Sequence, residues 1–138
     1  MDTRVLVLEL LRKTKLAVIS TVGEDAPESA VLEFAETEDL ELIFDTLSSS
    51  RKYRNLQKNH NASFVIGWDD NLTVQYEGIV QELLSEELER YKQIYFKKNP
   101  KAKRWEHVEG IRYFKVTPRW IRYSDLNQHP WDIKEIKF

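Results

Sequence analysis

Residues 46–56 read TLSSSRKYRNL and follow the apolar run LIFD at 42–45. The apolar run predicts a strand that ends near Thr46, and the change of period after the serines predicts a helix that opens with Arg51 and Lys52. A helix N-terminus presents unpaired N–H groups and about half a positive charge, serine hydroxyls donate further hydrogen bonds, and two cations balance a dianion. The stretch therefore predicts a strand-to-helix junction that is suited to a phosphate group.

The same residues allow a simpler interpretation. The serines at 48–50 would only cap the helix, and Arg51, Lys52 and Arg54 would form a solvated face. Cations in a first turn oppose the helix dipole by some tenths of a kcal/mol each, so the adjacent pair favours a bound anion. Both interpretations stay open for this stretch alone.

Upstream of the junction, the sequence predicts one helix and three strands. Val5, Leu8 and Leu11 recur at helical spacing within TRVLVLELLRK at 3–13. Runs rich in β-branched or apolar residues then alternate with turn residues, which predicts strands at 16–22 (LAVISTV), 29–36 (SAVLEFAE) and 40–46 (LELIFDT).

Downstream, the segments 62–68 and 72–83 flank the turn at 69–71 and predict a second hairpin, in which Gly78 marks a bulge. Ser85 is the expected N-cap of a helix with Glu86 and Glu87 in its first turn. Residues 110–125 return to strand. About six strands and three helices without a linker favour a single domain, residues 1–138, built as a closed or half-closed antiparallel barrel.

The composition limits the possible chemistry. Hydrophobic residues at 41% and charged residues at 32% are typical of a globular chain, and the absence of cysteine excludes disulfides and thiolate sites. A net charge of −2 gives no general attraction to nucleic acid. The N-terminus carries Asp2 and Glu9 rather than a signal-peptide pattern, and no apolar run approaches the roughly 20 residues of a membrane span. We therefore expect a cytoplasmic protein without nucleic-acid or membrane partners.

Other residue clusters carry weaker signals. His60, His107 and His129 are too scattered for a metal-ligand spacing, so we assign no metal. No G-x-S-x-G pattern occurs, which disfavours hydrolysis by a serine nucleophile. The basic stretch at 97–104 is better explained as a solvated loop than as a nucleic-acid contact.

Four segments in order, SAVLEF, FDTLSSSRKYRNL, TVQYEG and VTPRWIRYSD, resemble the pyridoxamine 5'-phosphate oxidase-related FMN-binding split-barrel family over about residues 16–125. The likeness is greatest to its short, general-stress-protein-like branch. It implies a mainly β fold with flanking helices, a six-stranded antiparallel split β-barrel. It also implies a homodimer with FMN at the subunit interface.

The resemblance also implies roles for individual residues. The phosphate would be held at Thr46, Ser50, Arg51 and Lys52, and Asp45 would be a further cofactor-binding residue. The main chain of Ala30, Val31, Leu32 and Glu33 would lie along the flavin ring, and Thr73 would send a polar side chain to the cofactor. The catalytic residues stay unassigned.

The sequence departs from the true oxidase in two places. Glu33-Phe34 stands where the oxidase ends its strand in a basic residue, and the tail at 124–138 lacks the Trp-Gln and Arg-Leu-His-Asp-Arg signatures. We therefore expect an FMN-dependent oxidoreductase of another substrate rather than vitamin B6 oxidation. The alternatives are a non-catalytic flavin carrier or sensor, or the same fold with F420 or haem.

Overall fold

The computed structural model describes residues 1–138. The α-helices are α1 (Thr3–Lys13), α2 (Arg51–Lys58) and α3 (Ser85–Lys98), and a 3₁₀-helix covers Pro100–Trp105. The strands are β1 (Leu16–Val22), β2 (Pro27–Glu33), β3 (Ala35–Glu36), β4 (Leu42–Leu47), β5 (Asn61–Ile66), β6 (Leu72–Glu82), β7 (Ile111–Asp125) and β8 (Asp132–Lys137).

All strands belong to one curled antiparallel sheet, paired in the order β2-β1-β5-β6-β7-β4-β3, with β8 also on β7. The two ends of this order, β2 and β3, are separated in sequence only by Phe34. One bent stretch of chain therefore supplies both edges of the sheet, and the sheet closes on itself. The predicted class, a mainly β split barrel with flanking helices, is confirmed.

The barrel is open between β2 and the second half of β4, and we call this opening the seam. The β3–β4 ladder consists of only two pairs, Ala35 with Ile43 and Glu36 with Leu42. Before Phe34 the chain pairs with β1 alone, so the other edge of β2 has no strand beside it. The backbone N–H and C=O groups on that edge are free to bind something other than protein.

Alternation along the strands explains the barrel core. Ile19, Phe64 and Tyr76 point inward and are almost completely buried, while their sequence neighbours face outward. The buried Tyr76 hydroxyl donates a hydrogen bond of 2.7 Å to the carbonyl oxygen of Leu40, which satisfies the polar tip inside the core.

Strand β4 is covered on both faces. Phe44 belongs to the barrel core, whereas Ile43 belongs to a second apolar cluster that includes Tyr95 of α3 and Tyr113 of β7. Asp45 shares the face of Ile43, because side chains alternate along a strand. Its carboxylate therefore lies between the sheet and a helix.

Three local features differ from the sequence-based expectations or refine them. The structure has eight strands, because the chain breaks at Phe34 within the predicted 29–36 strand and because the tail forms β8 on β7. Ser85 is not the N-cap of α3: it is the first helical residue, with φ of 56°, and Leu84 holds the cap position without a side-chain bond. The bulge at Gly78 is confirmed by a register shift between Glu77 and Gly78.

Gly78 is required by a close approach of two strands. A Cβ atom at this position would lie 2.6 Å from the carbonyl oxygen of Thr117, which is shorter than any tolerated contact.

None of the helices combines the length and the apolar character that crossing a bilayer requires.

Candidate functional site

The junction between β4 and α2 is held by two hydroxyl groups. Ser50 is the N-cap of α2, and its Oγ accepts a hydrogen bond of 3.1 Å from the backbone N–H of Tyr53. The same Oγ shares a 3.0 Å hydrogen bond with Oγ1 of buried Thr46. The backbone N–H groups of Arg51 and Lys52 find no acceptor within the chain. The start of α2 thus presents free donors at a fixed position.

Lys52 is half-buried and has no ion-pair or hydrogen-bond partner. Burial lowers the pKa of its ammonium group, and the charge of Asp45 acts in the opposite direction. Every other half-buried cation of the chain forms a salt bridge: Lys92, Lys98, Lys115, Arg122 and Lys134. A partly desolvated ammonium without a salt bridge costs stability, so its presence favours an anionic ligand at this point.

Arg51 has a protein partner in this structure. Its guanidinium lies 3.3 Å from Oε2 of Glu28 on β2, and its side chain is 66% exposed. Glu28 also accepts a 2.8 Å hydrogen bond from Nδ2 of Asn55, which fixes the carboxylate. An exposed pair of this kind is weak, so Arg51 can leave Glu28 for a phosphate at little cost.

The predicted ring-binding segment, residues 30–33, lies on the free edge of β2 and therefore faces the seam. A cavity of about 130 Å³ opens at the α2 end of the seam, between Arg51 and Ala30. The structure thus brings the predicted phosphate-binding and ring-binding residues to the two sides of one opening. The cavity is lined by Thr21, Glu28, Ser29, Ala30, Arg51 and Lys52.

Asp45 and Glu33 lie at the closed end of the seam. Burial raises the pKa of the Asp45 carboxyl, the Glu33 charge raises it further, and the Tyr95 hydroxyl and Lys52 oppose the shift. Tyr113 lies directly opposite Asp45 on β7, and burial together with the Asp45 charge raises its pKa to about 12. The site therefore has a cationic end at α2 and an acidic end near Phe34.

Thr73 is not brought to this opening within one chain. It lies on β6 opposite Ser124, and β1 and β5 separate β6 from β2 in the sheet. Its predicted contact with a cofactor would have to come from the second subunit of a dimer.

Sequence reasoning missed Glu28, Tyr95 and Tyr113 as parts of the site. Glu28 and Tyr113 reach it through cross-strand register, which depends on bulges and turn lengths that the sequence pattern does not specify. Tyr95 lies on the apolar face of the predicted helix. The sequence pattern indicates that this face packs against the protein, but not which residues it contacts.

The comparisons with known proteins agree with this geometry. A family model described as "Pyridoxamine 5'-phosphate oxidase" matches residues 6–125. No curated protein matches the chain. The solved structure of General Stress Protein 26 from Bacillus anthracis is similar over 100% of both chains, with 21% identity and a TM-score of 0.79.

Two further solved structures share the fold. A heme binding protein from Mycobacterium smegmatis has 12% identity and a TM-score of 0.83, over 99% of this chain and 59% of that one. A pyridoxamine 5'-phosphate oxidase-related, FMN binding protein from Nostoc punctiforme has 12% identity and a TM-score of 0.67, over 97% and 93% of the two chains. At these identities the likeness concerns the fold alone.

Proposed function

The chain belongs to the pyridoxamine 5'-phosphate oxidase family, and on that premise we propose that it binds FMN in the seam between β2 and β4. Lys52 carries this proposal, because it is the one half-buried cation of the chain that forms no salt bridge. Free N–H donors, a capped helix start and an unpaired strand edge surround it. In FMN, the phosphate matches Lys52 and the free N–H donors at the start of α2, and the flat polar ring matches the unpaired edge of β2.

Each residue would have a defined task. Thr46 and Ser50 hold the start of α2 in place, while Arg51 and Lys52 neutralise the phosphate. Asp45 keeps the Lys52 ammonium charged, since its charge raises the pKa that burial lowers. The free backbone groups of residues 30–33 would bind the polar edge of the ring. Bound FMN would supply hydride or electron transfer.

We further propose that the chain works as a homodimer. The outer face of β2, β1 and β5 carries a row of three valines, in which exposed Val31 and Val65 flank half-buried Val18. Monomeric proteins rarely leave contiguous apolar side chains in water. A groove of about 680 Å³ runs beside them and is lined partly by Trp120 and Phe138. Pairing through this face would also allow Thr73 of one copy to approach the cofactor of the other.

The activity we propose is that of an FMN-dependent oxidoreductase other than a pyridoxamine 5'-phosphate oxidase, because Glu33 stands where a basic residue is expected. A flavin carrier or sensor is the alternative. The two differ in the rate at which bound FMN, once reduced by NAD(P)H or dithionite, passes electrons to an acceptor. In an oxidoreductase this rate exceeds that of free reduced FMN, whereas in a carrier it does not.

Haem and F420 are the other candidate ligands, and the heme binding protein among the structural neighbours is the reason to consider haem. The usual axial ligands are absent from the seam: there is no cysteine, and His60, His107 and His129 are exposed elsewhere. Tyr113 is a poor phenolate ligand, because its pKa is raised to about 12. The absorbance spectrum and mass of the co-purified ligand distinguish flavin, F420 and haem.

The phosphate contact is tested by the double variant Arg51→Ala/Lys52→Ala. Loss of two charge-assisted contacts should weaken FMN binding by about 3 kcal/mol, roughly a hundredfold in Kd, measured by flavin fluorescence titration. The fold should persist, because neither side chain supports the core.

The matched control is Arg54→Ala/Lys58→Ala. It removes the same number of charges from the exposed part of α2, and neither residue forms a salt bridge. FMN affinity should stay within a few-fold of the parent. An equal loss of FMN affinity in both double variants would show a general charge effect and would reject the phosphate site.

A further inference from the structure

The acidic end of the seam holds two carboxylates that no cation contacts. Glu33 and Asp45 are half-buried, and neither forms a salt bridge. The Tyr95 hydroxyl hydrogen-bonds to Asp45, but Oδ2 of Asp45 has no partner. Six of the other eight half-buried carboxylates form a salt bridge, and two accept hydrogen bonds: Glu28, Glu36, Glu82, Glu87, Glu106 and Asp132 in the first group, Glu41 and Asp125 in the second. The acidic end therefore carries negative charge that no cation in contact balances.

The register places these two residues face to face. Ala35 pairs with Ile43 and Glu36 with Leu42, and the same ladder continued past Phe34 would set Glu33 directly opposite Asp45. Like charges so placed repel across a sheet, which is a reason for the ladder to stop where it does. The two carboxylates therefore stand on opposite sides of the seam at its narrow end.

A buried tyrosine provides an independent indication of a ligand. Tyr113 is 4% exposed, and its hydroxyl has no hydrogen-bond partner. Tyr113 is paired directly opposite Asp45 in the β4–β7 ladder, so the two side chains lie on the same face of the sheet. Buried hydroxyls are normally satisfied, so this group and the unpartnered Oδ2 of Asp45 leave polar capacity unused beside the acidic end.

A bound phosphate would increase the charge imbalance. Lys52 is the cation that acts on Asp45, and in the proposed complex its charge is drawn to the phosphate. The ionisable groups around the acidic end are Glu33 of β2, Asp45 of β4, Lys52 of α2, Tyr95 of α3 and Tyr113 of β7. Glu106 also acts on Tyr113, but it forms a salt bridge with Lys92, which lies over the Tyr113 ring. With Lys52 engaged, the groups left without a counter-charge are two carboxylates beside two phenols, which together attract a cation and its N–H donors.

We propose that Glu33 and Asp45 form a subsite for an organic cation with N–H donors, through which the chain recognises the reaction partner of its flavin. The inference rests on the proposed FMN site, because it concerns the narrow end of the same seam. An anionic partner is disfavoured there, since its charge would face two carboxylates.

Three aromatic probes of the same shape test the charge preference: benzylamine, benzyl alcohol and benzoate. Each is titrated into the protein saturated with FMN at neutral pH, and binding is followed by the change in flavin absorbance. Benzylamine should bind at least tenfold more tightly than benzyl alcohol, and benzoate should bind most weakly.

The variants Glu33→Gln and Asp45→Asn keep the side-chain shapes and each remove one charge. FMN affinity is measured first for each variant, and the probe titrations are repeated at saturating FMN. Each substitution should reduce the preference for benzylamine over benzyl alcohol by about tenfold. Glu24→Gln, an exposed carboxylate in the β1–β2 turn, is the control with an equal change in net charge and should leave the preference unchanged.

Two results would overturn the inference. Benzoate or benzyl alcohol binding as tightly as benzylamine would show that the acidic end does not select a cation. An equal loss of preference in Glu24→Gln would show a long-range charge effect. A chain that takes up FMN but fails either test keeps its proposed function, whereas a chain that takes up no FMN loses both proposals.

Discussion

At the scale of single residues, Glu28 would compete with the phosphate of the proposed FMN for Arg51. It lies 3.3 Å from the guanidinium of Arg51 and lines the small cavity at the α2 end of the seam. Asn55 and Arg51 hold it there, so one of the two proposed phosphate ligands starts out paired with a carboxylate. Phosphate binding by Arg51 would therefore exchange one charge pair for another.

Glu28→Gln should raise FMN affinity several-fold. The substitution removes a negative charge beside the phosphate and releases Arg51, which is worth about 1 kcal/mol at a partly exposed position. The measurement is the Kd for FMN at low and high salt, and the gain should shrink at high salt because screening weakens exposed charge interactions. Unchanged or weaker binding in the variant would mean that Glu28 positions Arg51 rather than competing for it.

At the scale of elements, the C-terminal end of α3 secures the bend between β2 and β3. Nδ2 of Asn99 donates a 2.9 Å hydrogen bond to the carbonyl oxygen of Phe34, and Asn99 is 1% exposed. Nζ of Lys98 donates a hydrogen bond of 2.7 Å to the carbonyl oxygen of Leu11 and forms a salt bridge with Glu36. It also lies 3.9 Å from the centre of the Phe34 ring. The geometry of the seam thus depends on a helix end that does not line it.

Asn99→Ala should destabilise the fold by about 2 kcal/mol, because it leaves the buried Phe34 carbonyl without its donor. Urea unfolding measures the loss, and hydrogen exchange should rise locally in β2. FMN binding should weaken as well, since the free edge of β2 becomes less ordered. The control is Lys97→Ala, an exposed residue next to Lys98. It should change neither the unfolding free energy, nor hydrogen exchange in β2, nor FMN affinity.

The elements also show what the sequence could and could not predict. The predictions of a helix at 3–13 and a strand at 16–22 agree with the structure, because helical spacing and β-branched content are local signals. The junction at Thr46 and Ser50 was recognised for the same reason. The break at Phe34 and the opposition of Asp45 to Tyr113 were not, since both depend on pairing between distant strands.

Ser85 shows a different limit. Serine favours N-caps, and two glutamates follow it, yet the chain enters α3 one residue earlier, at Leu84. Buried Leu83 follows the end of β6 at Glu82, and its backbone N–H donates to the carbonyl oxygen of Tyr113. Tertiary pairing of Leu83 decided the entry angle, which outweighs a capping preference of about 1 kcal/mol.

At the scale of the whole molecule, the dimer proposal makes the exposed valines of the sheet the decisive residues. Val31 is 62% exposed on the outer face of β2. We expect the protein to run as a dimer in size-exclusion chromatography with light scattering, and Val31→Glu to shift it to monomer. FMN affinity should fall with the dimer, because the second copy would cover the cofactor.

The control is Val108→Glu, which adds the same charge at an exposed position after the 3₁₀-helix, away from this sheet face. It should remain dimeric. A monomeric parent protein, or a Val31→Glu variant that stays dimeric with normal FMN binding, would reject the proposed interface.

The bend at Phe34 has a consequence for how wide a ligand the barrel admits. Because a single residue joins the two ends of the sheet, β2 and β4 separate progressively with distance from Phe34. The distance of a ligand group from Phe34 would then limit its thickness, so that a flat ring fits closer to Phe34 and a bulkier phosphate farther away. Lengthening the chain at Phe34 by one residue would widen every position at once, so ligand size is controlled by backbone length as well as by the side chains of the site.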